Sequence, residues 1–473
     1  MKPKGLASMK HLHCLLSAAL CLAAGTACAA PRAASTPALQ IAPLQFTERT
    51  LANGLQVVAV QNHASPTVSV QVWYHVGSKD DPPGRSGFAH LFEHLMFKST
   101  KYLKSEQFDR LTEDVGGSNN AFTADDMTAY HEVVPSNHLE RLLWAEAERM
   151  ANLNVDEANF TSERRVVEEE YRQRVLASPY GRFFNAIAPA AYQVHPYRHP
   201  GIGSIEDLEA ATLADVVAFH ATYYRPDNAT LVVAGDFDSA QLQAWVDKYF
   251  GPVVRPGAPI PRVTAQEPVW PSDRRAAVAG PQVPLPAVAL VWQAPPVTHA
   301  DASALRVAAG LLNAGVSARL NQSLVYRRQV ASQTGFEADL RAGPGLLTAY
   351  AMAAGGKALA LVEKALLDEV LALAAKPVPA AELSKTKTLL LTQALVERQT
   401  PQGQASALAE AVVLHGRSEV ANRQLTELQR VSASDVQRVM QTYVAKAAKV
   451  SLTYMQQAQP AASSASAPQG AIK

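Results

Sequence analysis

The residues whose types and spacing could do chemistry stand closest together in His90-Leu91-Phe92-Glu93-His94, inside the stretch RSGFAHLFEHLMFKST. On a helix, residues four apart lie one turn above the other, so the two imidazoles can converge on a single ion. The carboxylate of Glu93 then sits beside them, placed to take a proton from a water that the ion has made acidic. This is the order H-x-x-E-H of a hydrolytic zinc site. The alternative for two His and a Glu on one polar face is plain solvation, so the remaining ligands must come from elsewhere in the chain.

The stretch that carries these residues reads as an amphipathic helix, because Phe88, Leu91, Phe92, Leu95 and Met96 recur at helical spacing on the opposite face. Ser86 is the expected N-cap, preceded by the chain breakers Pro82, Pro83 and Gly84. A catalytic zinc takes three protein ligands and leaves one position open. The third is expected from a downstream helix, SERRVVEEEYRQRV, which offers Glu163, Glu168, Glu169 and Glu170. Glu163 and Glu170, seven apart, differ by only about 20° around the axis and share the side carrying Val166 and Val167. Glu168 and Glu169 point away and are expected in solvent. An inward carboxylate needs a partner to offset its desolvation, and Glu170 is assigned as the metal ligand.

Around these helices the pattern is mixed. Strands are expected at Phe46 to Leu51 and Leu55 to Val60 about the turn Asn53-Gly54, then at Thr67 to Val76, Asn120–Thr123, Thr128–Val134 and Ala229–Ala234. Helices are expected over Ser105 to Val115, 136–152, 156–175 and Leu213–Tyr223. Residues 252–284 are proline-rich and lack periodicity, which marks a linker. Beyond them come strands near Ala287–Trp292, 330–339 and 345–352, helices near 301–313 and 317–327, four further helices, and a last strand at Val450–Tyr454. Asp215-Val216 followed by Thr222-Tyr223 recurs 220 residues later as Asp435-Val436 and Thr442-Tyr443, the mark of an internal duplication. The fold class is therefore α+β, with two duplicated α/β halves, residues 46–251 and 285–455. The second half's counterpart of the HLFEH helix, DASALRVAAGLLNAG, holds neither His nor Glu, so only the first half can hold the site.

Length and composition fit this picture. A chain of 473 residues exceeds one ordinary core, and its net charge of +1 gives no electrostatic case for nucleic acid. Residues 1–29 read as a cleavable signal peptide: Lys2, Lys4 and Lys10 precede an apolar run too short to span a membrane, and Ala27-Cys28-Ala29 supplies a cleavage site. Residues 30–45 are expected to be flexible and 456–473 a disordered, low-complexity tail. The mature chain is expected in the periplasm or outside the cell, with no transmembrane segment. All three cysteines (Cys14, Cys21, Cys28) lie in the signal segment, which excludes Cys ligands, Cys nucleophiles and disulfides from the mature chain. Gly25 stands where a lipoprotein signal has an aliphatic residue, so a lipid anchor at Cys28 is not expected.

HLFEH, the 75 residues between His94 and Glu170, GGSNNAFTADDMTAY, ERRVVEEE, HPYRHPGIGSIEDL and TYYRPDNATLVVAGDFD, taken in order, resemble the pitrilysin family of zinc metallopeptidases, in its short two-domain bacterial form. The resemblance spans nearly all the mature chain and is dense from 46 to 250. It implies a sheet-and-helix fold in each half, mainly antiparallel, and one zinc held by His90, His94 and Glu170. It further implies Glu93 as general base, Glu163 as an auxiliary acidic residue, and Asn120-Ala121 as the edge strand to which a peptide or unfolded segment adds. The histidines of HPYRHP and His131 are expected to be structural. Members of the family carry an Arg and, seven residues later, a Tyr in the second half. Here LVYRRQVASQTGF places Val325 and Ser332 at those positions, with Tyr326 or Arg327 available only after a register change. That departure implies a paralogous, non-catalytic partner (a heterodimer) or a homodimer, and the two halves are expected to face each other across a chamber. The competing reading is a zinc-binding, non-hydrolytic scaffold or assembly subunit.

Overall fold

The computed structural model describes residues 41–457, so the expected signal peptide, the cysteines and nearly all of the C-terminal tail lie outside the described residues. Two mixed sheets carry the chain. The first contains β1 (Thr47–Thr50), β2 (Gln56–Gln61), β3 (Thr67–Tyr74), β4 (Ser118–Thr123), β5 (Thr128–Pro135) and β6 (Ala229–Gly235), in the order β1-β2-β6-β3-β5-β4. The second contains β7 (Arg274–Gly280), β8 (Ala287–Ala294), β9 (Ala331–Asp339), β10 (Gly345–Ala353) and β11 (Lys449–Gln456), in the order β7-β11-β8-β10-β9. All neighbours are antiparallel except one pair in each sheet, β2 with β6 and β7 with β11. Leaving β1 aside, the two orders superpose strand for strand, so the duplication seen in two short motifs extends through the whole topology. Both motifs begin helices closed by the same capping box, Thr212 with Asp215 and Ser432 with Asp435.

Two expectations need correction here. The stretch 252–284 is not structureless, because it contains β7, the partner of β11 and the counterpart of β2. Its alternation is carried by Arg274, Ala276 and Val278 on the more buried face, too weakly apolar to stand out from sequence. After β10 there are five helices rather than four: Leu359–Ala375, Ala380–Glu397, Pro401–His415, Val420–Arg430 and Ala433–Met440. The break between the second and third is set by Thr400, which caps Gly403 N, with Pro401 at the first helical position.

Each half lends a piece to the other. On β3, Val68, Val70 and Val72 face the helices of their own half, while Ser69, Gln71 and Trp73 face the helix Pro401–His415. Gln71 donates to Gln402 O and Ser406 Oγ and accepts from Trp73 Nε1, so the polar residues on that face are satisfied across the junction. Reciprocally, Phe183, Ala191, Tyr192 and Tyr197 pack on Ala287, Ala289 and Val291 of the second sheet. The halves therefore meet through closed apolar contact there, rather than across an open chamber.

A polar clamp completes the junction. Buried Asp126, in the β4–β5 turn, accepts from Lys79 Nζ at 2.6 Å, Tyr197 Oη at 2.6 Å and Ala342 N at 2.9 Å. Burial alone would raise its pKa, but the Lys79 ammonium and these donors outweigh it and hold the carboxyl below the usual range. Its neighbour Asp125 holds Arg341 at 3.2 Å. Asp126→Ala leaves the buried Tyr197 hydroxyl, the half-buried Lys79 ammonium and Ala342 N without their acceptor, and urea unfolding should show a loss of about 1–3 kcal/mol; a loss below about 1 kcal/mol would show that the clamp is dispensable.

Candidate metal centre

The helix carrying HLFEH runs from Phe88 to Leu95, with Phe88, Leu91, Phe92 and Leu95 fully buried against the first sheet's helical layer. Its cap differs from expectation. Ser86 does not cap it; its N–H and hydroxyl both donate to Asp207. The N-cap is Gly87 at φ +94°, and the free helix amides are taken by buried Asp81, which accepts from Gly87 N at 2.7 Å and Ala89 N at 2.8 Å. A Cβ at Gly87 would stand 2.9 Å from Ile202 O, and one at Gly203 only 2.3 Å from Ser86 O. Only glycine permits this approach, which locks the HPGIG loop against the helix start.

The second helix, Glu157–Tyr171, crosses beside it and continues into a π turn, Arg172–Ala177. His90 Nε2 lies 3.7 Å, and His94 Nε2 3.4 Å, from Glu170 Oε2. Ligand atoms of these three residues fall within 4.8 Å of one another, the one such group of metal-ligating side chains among the described residues. The two rings stand edge to face at 84° with centroids 5.0 Å apart, and each has its Nε2 near the same oxygen of Glu170. Burial, then the charges of His94 and Arg174, pushes the His90 pKa down to about 3, leaving a neutral imidazole with a lone pair to give. Two imidazole nitrogens and one carboxylate oxygen form a donor set that fits a zinc ion with one position to spare.

Glu163 is not a second oxygen at that spot. Its Oε2 lies 3.7 Å from His94 Nδ1, and its Oε1 accepts from Lys98 Nζ at 2.8 Å and Ser162 Oγ at 3.1 Å. Burial pushes this carboxyl up, but His94 and Lys98 outweigh that and hold it below the usual range. An ionised carboxylate behind Nδ1 fixes the ring so that Nε2 faces the metal position. Neither Arg164 nor Arg165 is its partner. Glu168, expected in solvent, is buried and pairs with Arg164 and Arg172, while Glu169 is exposed as expected. The inward side carries Val167 but not Val166, which is 45% exposed.

Glu93 faces a cleft of about 410 Å³ together with His90, Asn120, Ala121, Arg174 and Ile202. Burial raises its pKa and outweighs a hydrogen bond from Thr123 that pulls the other way. Ala121 N, on the unpaired edge of β4, is covered by the Asn120 side chain at 2.9 Å, so an added strand must first turn that side chain aside. Tyr326 and Arg327 do not line the cleft: Tyr326 is 56% exposed, and Arg327 donates to Gln322 O. Ser332 is held by Ala353 O. His195 accepts from Tyr197 N and His131 lies 3.2 Å from Gln402 Nε2, both away from the metal position. Sequence reading missed Asp81, Lys98 and Arg174. The i,i+4 spacings His94–Lys98 and Glu170–Arg174 were the available signal for the last two.

Beneath the helix, Phe92 stacks on Phe219 and on His220, which itself lies parallel to Tyr224 at 5.6 Å. Burial lowers the His220 pKa from its ordinary 6.5 to about 4. Between those values the unfolded chain binds a proton that the folded one refuses, so stability present above pH 6.5 is lost as pH falls toward 4. His220→Phe keeps the stack and removes the titration. Its melting temperature should therefore fall less than the parent's between pH 6.5 and 4, and parallel curves would exclude His220 as a source of acid sensitivity.

Comparison with known proteins agrees with this geometry. Residues 56–204 match the family described as Insulinase (Peptidase family M16), and residues 210–390 match the Peptidase M16 inactive domain. The chain is 39% identical over 286 residues to the zinc protease PqqE of Helicobacter pylori, a match covering 60% of this chain and 64% of that protein. The crystal structure of a protease from Helicobacter pylori superposes with a TM-score of 0.83 at 31% identity, over 87% of this chain and 99% of that one. The periplasmic protease PqqL from Escherichia coli shares the fold, with a TM-score of 0.71 at 19% identity, over 89% of this chain and 48% of its own.

Proposed function

Because this chain belongs to peptidase family M16, we propose that it is an exported zinc metallopeptidase that hydrolyses peptides or unfolded protein segments. The observation that carries the reading is the convergence of His90 Nε2, His94 Nε2 and Glu170 Oε2 beside a cleft-facing Glu93. A zinc ion held by those three atoms supplies Lewis acidity, making water more acidic and a peptide carbonyl more electrophilic. Glu93 takes the proton of the attacking water and hands it to the departing amine, a task suited to a carboxylate whose pKa burial has raised. Glu163 acts behind His94, holding its ring in register. The peptide adds along β4, where Asn120 and Ala121 offer main-chain donors and acceptors once the Asn120 side chain has moved.

Export is supported by the basic, apolar and small-residue order of residues 1–29, and a PqqL-like fold is known in a periplasmic protease. No helix among the described residues is long and apolar enough to cross a membrane. The second half lacks an Arg and Tyr facing the cleft, and we infer that a paralogous subunit, or a second copy, completes the site. The same deficiency supports the rival reading of a zinc-holding scaffold without hydrolysis.

Two variants separate the readings. Glu93→Gln should retain one zinc per chain and lose hydrolysis of a quenched peptide library by at least about 100-fold, measured with the paralogue present and a chelator control. Glu170→Gln should lose the metal itself, read by elemental analysis. Full activity in Glu93→Gln would remove it as the base; a parent chain that holds zinc but cuts nothing, with or without the partner, would favour the scaffold.

A further inference from the structure

Resting on the peptidase reading, we propose that Arg174 selects substrate: it binds a carboxylate carried by the peptide close to the bond being cut, either an acidic side chain or the free chain end. Arg174 stands in the π turn that ends the second metal-site helix and lines the cleft with Glu93 and Asn120. Its Nη1 donates to Glu170 Oε1 at 2.6 Å, the oxygen of Glu170 that does not face the histidines. One N–H is thereby anchored, and the other donors of the guanidinium fork remain for a ligand.

A purely structural role does not account for this arginine. Its side chain is 73% exposed, and an i,i+4 pair at that exposure contributes little to stability. Among the described residues the other cation paired to the site, Lys98, is tied to Glu163 on the far side of His94 and does not line the cleft. With the Lys98–Glu163 pair set aside, two carboxylates, Glu93 and Glu170, stand against one cation, Arg174. That leaves one negative charge, which a divalent ion converts to one positive. The loaded cleft thus attracts anions, and Arg174 is the exposed group able to meet a carboxylate with two parallel hydrogen bonds. A peptide added along β4 would lie in the cleft that Arg174 also lines.

The test uses zinc-loaded full-length Glu93→Gln protein and labelled peptides in matched pairs: Glu against Gln at positions flanking the cleavage site, and free against amidated C-termini. Fluorescence anisotropy should show about tenfold tighter binding of the carboxylate member of at least one pair. Adding Arg174→Ala or Arg174→Gln should bring the two members level while zinc per chain stays unchanged. The kcat/KM ratio of the active protein should follow the same pattern. Equal binding of both members before Arg174 is changed, or equal weakening of both together with zinc loss afterwards, would overturn the proposal and leave Arg174 a positioning residue for Glu170. The pair that discriminates identifies the source of the carboxylate. Discriminating binding without any hydrolysis by the parent would sink the peptidase reading alone, whereas hydrolysis indifferent to carboxylates would sink this one alone.

Discussion

Two imidazoles and a carboxylate, from His90, His94 and Glu170, have to be held within 4.8 Å of one another on two separate helices. The fold meets that constraint by fixing the helix Phe88–Leu95 from every side. Phe92 is stacked on an aromatic layer below, Asp81 occupies the amides at its start, and the glycines Gly87 and Gly203 admit a loop that no side chain could leave room for. Glu170 is brought in by a separate helix whose own inward residues, Phe160 and Val167, are buried in the same core. The metal geometry is therefore set by apolar packing and glycine backbone, with the polar residues placed on top of it.

Charge around the centre is arranged in opposed pairs. Glu163 behind His94 is balanced by Lys98, and Glu170 beside the histidines by Arg174. Each carboxylate presents one oxygen to a cation and the other toward an imidazole, and for Glu163 His94 and Lys98 outweigh burial and hold the carboxyl below its usual range. Glu93 has no such cation, and burial raises its pKa. The contrast between Glu93 and Glu163 gives similar side chains different chemistry on the same patch of protein.

Much of this was legible in the sequence because it rests on periodicity. The spacing of His90, Glu93 and His94 put them on one helix face, and the seven-residue step from Glu163 to Glu170 put both inward. What periodicity cannot convey is what a side chain meets across space. Ser86 had the right type for a cap, but Asp207, far along the chain, claimed it, and Asp81 from the preceding loop took its place. Glu168 looked solvated because arginines three-dimensionally near it on its own helix were not counted as cover. β7 was hidden because arginine and alanine replace the usual branched residues, and only its pairing with β11 makes it a strand.

The loan of the helix Pro401–His415 to the first sheet bears on the order in which the molecule can be completed. Val58, Trp73, Ala129 and Val232 keep one side bare until a segment made near the end of synthesis arrives to cover it. The half that carries His90, His94 and Glu170 is thus the earlier to be made but not the earlier to be finished, and a nascent chain must carry an uncovered apolar sheet face for most of its production time. Truncation between Glu170 and that helix would leave this sheet face uncovered, although His90, His94 and Glu170 would all still be present.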